Sequence, residues 1–156
     1  MQDTSALEYS LAATVCLEPK RVLQLRQIVS VEDFSVPACA MVFDAADSAV
    51  SRGKAFDVNI AADGLRGFVD NPRQFLADCI DLTPTLANAE EYARLLHKHA
   101  AEKRLRDGVL AALDEENPAT AIAELCKAHL FDNAGGRLKS VSQALTETLR
   151  SLSAPE

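Results

Sequence analysis

Tryptophan is absent from this 156-residue chain and tyrosine occurs only twice, so the aromatic platforms on which proteins stack single-stranded nucleic acid are scarce. Positive charge is scarce as well. Lys and Arg number 16 against 23 Asp and Glu, a formal charge of −7, whereas affinity for phosphate backbones comes mainly from Lys and Arg. Tight nucleic-acid binding is not expected. No apolar run approaches the roughly 20 residues of a membrane helix, and Met1-Gln2-Asp3-Thr4-Ser5 lacks the basic start of a secretory signal. Cys16, Cys39, Cys79 and Cys126 lie 23, 40 and 47 residues apart, far from any C-x-x-C spacing, so structural thiols are expected rather than a zinc site or disulfides. The same reasoning points to a reduced, cytoplasmic protein with no metal centre.

Catalytic motifs are missing too. G-x-x-x-x-G-K-[ST] does not occur, and the one adjacent glycine pair, Gly135-Gly136, is followed by Arg137, where a linker is expected rather than a phosphate cradle. There is no G-x-S-x-G elbow. Glu32-Asp33, Glu90-Glu91 and Glu115-Glu116 are adjacent pairs expected at helix caps and on solvated faces. His97 and His99, two residues apart, point to different sides of a helix and cannot share one metal. Tyr92 and His97 are expected to serve packing and surface roles. No catalytic residue and no cofactor is assigned to the chain.

What the sequence does contain is helical periodicity with legible punctuation. Ser5-Ala6-Leu7-Glu8 reads as a capping box opening a helix to about Leu17, with Leu7, Leu11 and Val15 on one face. Pro19 precedes a stripe of Val22, Leu25, Ile28 and Val29. Ser35-Val36-Pro37 starts a helix to Arg52-Gly53 with Met41, Val42, Ala45, Ala49 and Val50 inward. Asp57 caps a short helix holding Ile60, Ala61 and Leu65. Asn71-Pro72 begins another with Phe75, Leu76, Cys79 and Ile80. Asn88-Ala89-Glu90-Glu91 reads as a second capping box and launches a helix to about Glu116, within which Gly108 costs about 1 kcal/mol relative to Ala. Asn117-Pro118 turns the chain into a return helix, so that Leu105, Val109 and Leu113 can face Ile122, Leu125 and Leu130. Asn133-Ala134-Gly135-Gly136 reads as a linker, and Ser140 opens a last helix with Val141, Leu145, Leu149 and Leu152.

The expected fold is all-α: a compact multi-helix head over 1–100, an antiparallel helical hairpin over 101–131, and a linker with a linker helix over 132–156. A two-helix hairpin buries only one side against itself, so partner helices are expected to cover the other.

Several segments, in order, resemble the N-terminal domain of DnaB-type replicative DNA helicases. The opening helix Glu8-Tyr9-Ser10-Leu11-Ala12-Ala13 runs to Leu17-Glu18-Pro19. Glu32-Asp33-Phe34 then precedes Val42-Phe43, followed by Gly53-Lys54-Ala55-Phe56-Asp57 and Phe75-Leu76. The most specific match is Thr83-Pro84-Thr85-Leu86-Ala87-Asn88-Ala89-Glu90-Glu91-Tyr92-Ala93, with Lys103-Arg104-Leu105 about ten residues on. Leu138-Lys139-Ser140-Val141 with Leu145-Thr146-Glu147-Thr148-Leu149 resembles the helix that joins this domain to the motor. Ala13 stands where relatives commonly have Gly, and Arg106 and Ala112 where they often have larger apolar residues.

The resemblance implies an oligomerisation and primase-docking domain acting in DNA replication within the primosome. Its implied partners are further copies of itself (dimers assembled as a trimer of dimers), a DnaG-type primase and a helicase loader. ATP and Mg belong to a RecA-like motor expected beyond Glu156. Phe75, Lys103, Leu105 and Val109 are the expected partner-contact residues, with intramolecular packing the competing role for the three apolar ones. Two rival readings are the helicase-binding domain of a primase, which resembles this fold but sits at a C-terminus, and a small helical enzyme or ligand-binding bundle, which requires convergent polar groups in a pocket.

Overall fold

A computed structural model describes residues 3–134, with side chains to 130; the expected linker helix over Ser140–Leu152 lies outside the described residues. Seven α-helices occur among them: α1 (Ser5–Leu17), α2 (Val22–Leu25), α3 (Pro37–Ser51), α4 (Val58–Gly64), α5 (Pro72–Asp81), α6 (Ala89–Ala112) and α7 (Pro118–Ala134), with 3-10 turns at Pro19–Arg21 and Val31–Asp33. The fold is all-α. The chain divides into two compact units, Met1–His99 and Ala100–Glu156.

In the first unit α1 is the central element and packs on α3 and α5. The sequence suggested one apolar face, but Leu11, Ala12, Ala13, Val15 and Cys16 are all buried, together with Ser10 and Thr14. A helix surrounded by neighbours needs an apolar surface on most sides, and the run Leu11–Cys16 supplies one. Ala12 and Ala13 keep that surface flat enough for close packing. The Thr14 hydroxyl donates to the Ser10 carbonyl at 2.7 Å, which satisfies it within the helix.

Two expected faces hold in the main, with Val42, Ala61 and Leu65 in the core and Met41, Ala49 and Val50 packed against it, and each misses at one position. In α3 the buried positions are Cys39, Val42, Phe43 and Ala46, while Ala45 is exposed; the Phe43 ring packs on Phe34 at 5.2 Å between centroids. In α4 Ala61 and Ala62 turn inward and Ile60 is 45% exposed. A seven-residue helix presents only two turns, and here the small Ala pair allows the closer approach to its neighbours α3 and α5. The stripe expected over Val22–Val29 is the single turn of α2 followed by hydrogen-bonded turns back onto Val22, Gln24 and Leu25, with Val22, Leu25 and Val29 buried.

The cap at Asp57 is as expected, its carboxylate accepting from the Ile60 N–H at 2.9 Å, and Asn71 does the same for Gln74 at 3.2 Å. The box at Ser5 is not. Asp3 accepts from the Ser5 N–H and hydroxyl, and Glu8 is fully buried and bonded elsewhere. One of its oxygens accepts from the N–H groups of Ser35 and Val36 at 2.6 and 2.7 Å. The other accepts from the hydroxyls of Ser35 and Thr4 at 2.6 and 2.8 Å. The backbone donors just before α3 are thus satisfied by a carboxylate from α1, which locks the two helices in register.

Asp33 serves as a cap, one of the two roles expected for it: with Ser30 it forms a capping box at the Val31–Asp33 turn. It is buried rather than solvated, and its Oδ2 accepts from the Ser30 N–H at 3.0 Å and lies 2.8 Å from His97 Nδ1. His97 therefore ties α6 to the Val31–Asp33 turn. Arg21 donates to the Leu86 carbonyl at 2.6 Å and fixes the segment between α5 and α6.

Candidate interaction surface

The second unit holds the C-terminal part of α6 and all of α7, joined by a turn over Leu113–Asn117. The helix expected to reach Glu116 ends at Ala112, where Leu113 and Asp114 complete a final turn onto Val109 and Ala111. Pro118 then occupies the first position of α7, where its missing N–H costs nothing.

The seam of this hairpin differs from the stripe expected at Leu105, Val109 and Leu113. A Cβ placed on Gly108 would lie 2.9 Å from Leu125 Cδ2, so the helices cross at a position where one side has no side chain. Ala101 and Ala112 are buried, and Ala101, Arg104 and Leu105 face Leu125, Ala128 and His129 across a cleft of about 260 Å³. Residues 101, 105, 108 and 112 repeat at four, three and four, which is one helical face. Gly108, read from the sequence as a tolerated cost, is the close-approach point of that face.

With the seam fixed, the remaining positions of α6 sort by angle. Lys103 and Leu110, seven residues apart, share the opposite face. Leu110 is 60% exposed and Leu113 57%, and three residues apart they neighbour one another. Lys103 is exposed, while Leu105 and Val109 are half-buried. Phe75 belongs to the first unit: it packs against the core and meets Tyr9 edge to face at 6.1 Å between centroids. Of the four residues singled out from the sequence, Lys103, Leu105 and Val109 belong to the second unit and Phe75 to the first. Leu105 lines the seam cleft, Lys103 is on the outer face, Val109 flanks both, and Phe75 is in the other unit. Leu110 and Leu113 were missed as exposed residues because helical spacing alone does not say which of two adjacent stripes meets the partner helix.

Cys16, Cys39 and Cys79 are buried and Cys126 is half-buried, all as free thiols. Burial pushes the Cys16 thiol up to about 12, and a hydrogen bond with Cys79, with burial added, holds the Cys39 thiol well above its ordinary range. Among the described residues, no group of three or more His, Cys, Asp and Glu side chains is arranged to hold a metal ion, and no helix is long and apolar enough to cross a membrane.

Residues 2–98 match the family model of the DnaB-like helicase N terminal domain. No curated protein matches the chain.

Proposed function

Because the chain belongs to the DnaB-like helicase N-terminal domain family, we propose that it is the oligomerisation and primase-docking domain of a replicative DNA helicase, acting in the primosome during DNA replication. The match over residues 2–98 carries this reading. Its partners are further copies of the same chain, assembled as dimers and trimers of dimers, and a DnaG-type primase; a helicase loader is a further partner. ATP hydrolysis belongs to a motor domain outside this sequence, and the protein works in the cytoplasm.

The hairpin is the surface assigned to these contacts. Leu110 near the end of α6 and Leu113 in the turn that follows place two large apolar side chains in water. Pairing them with a second hairpin removes that area from solvent at roughly 25 cal/mol per Å². Lys103 supplies a charged rim, and Val109 lies between seam and surface. Leu105 in the hairpin and Phe75 in the first unit are further partner contacts in this reading.

Titration calorimetry with the helicase-binding domain of the primase from the same genome tests the docking half of the proposal. Saturable binding, weakened at least tenfold by Lys103→Glu together with Leu110→Asp and with far-ultraviolet circular dichroism unchanged, is the expected result. No heat at any concentration, with the wild-type chain fully folded, overturns it.

A further inference from the structure

We draw no further inference here: the strongest candidate, the largely exposed Phe68 on the turn between Arg66 and Val69, next to the α4–α5 cleft lined by Arg66 and Arg73, is an unpartnered apolar feature, and nothing in the structure shows what covers it.

Discussion

At the scale of single residues, two side chains hold positions that simple exchange will expose. Glu8 answers four donors from a site with no water contact. Replacing it with Ala takes the acceptor away from the partly buried Ser35 and Val36 amides, at a cost of about 1–3 kcal/mol. Glu8→Gln keeps the shape and one accepting oxygen, so its loss is expected to be smaller. Urea unfolding followed by circular dichroism checks the order; equal stability for wild type and Glu8→Ala contradicts the buried clamp. Gly108 is the second case. A larger residue there meets Leu125 across the seam, and Gly108→Val is expected to cost about 1–3 kcal/mol through overpacking, although Val itself is a better helix former than Gly. An unchanged urea midpoint for the second unit's transition contradicts the assigned seam. Thiol reactivity supplies a third test. Only Cys126 is accessible, so titration of the native protein with an aromatic disulfide reagent is expected to show one fast thiol out of four. Two or more fast thiols contradict the described core.

At the scale of elements, caps and prolines made most helix starts readable. Pro37, Pro72 and Pro118 each stand at the first position of α3, α5 and α7, and Asp57 and Asn71 accept the amides they were expected to accept. Removing one such cap, as in Asp57→Ala, is expected to lower stability by about 1 kcal/mol, read as a shift in urea midpoint; no shift contradicts its role in starting α4. Faces were less legible than starts. A stripe read from spacing gives a direction to within one or two residues, and packing against real neighbours then chooses, as Ala45, Ile60 and Leu113 show by being exposed. Long-range polar contacts were not legible. Glu8 looks in sequence like the fourth residue of its own helix's capping box, and only the fold brings Ser35 and Val36 to it. The capping role of Asp33 was legible, but its contact with His97, sixty-four residues later, was not. The candidate surface was half legible: the hairpin followed from Asn117-Pro118, while its seam depended on Gly108, whose significance requires knowing that Leu125 lies opposite.

At the scale of the whole molecule, the acidic balance and the two-unit division both bear on partners. A chain with net charge −7 suits contacts between proteins more than a grip on phosphate, and the hairpin leaves Leu110 and Leu113 in water. In the proposed function another copy of the chain or a partner protein buries them. The account centres on that claim, that these helical surfaces exist to bind other chains. Sedimentation equilibrium on the full chain, from low micromolar to several hundred micromolar, tests it most directly. The expected outcome is an average mass that rises with concentration toward at least a dimer, and that falls back toward 16.8 kDa in a Leu110→Asp, Leu113→Asp variant of unchanged helicity. A wild-type chain that stays at the monomer mass across the whole range contradicts the account.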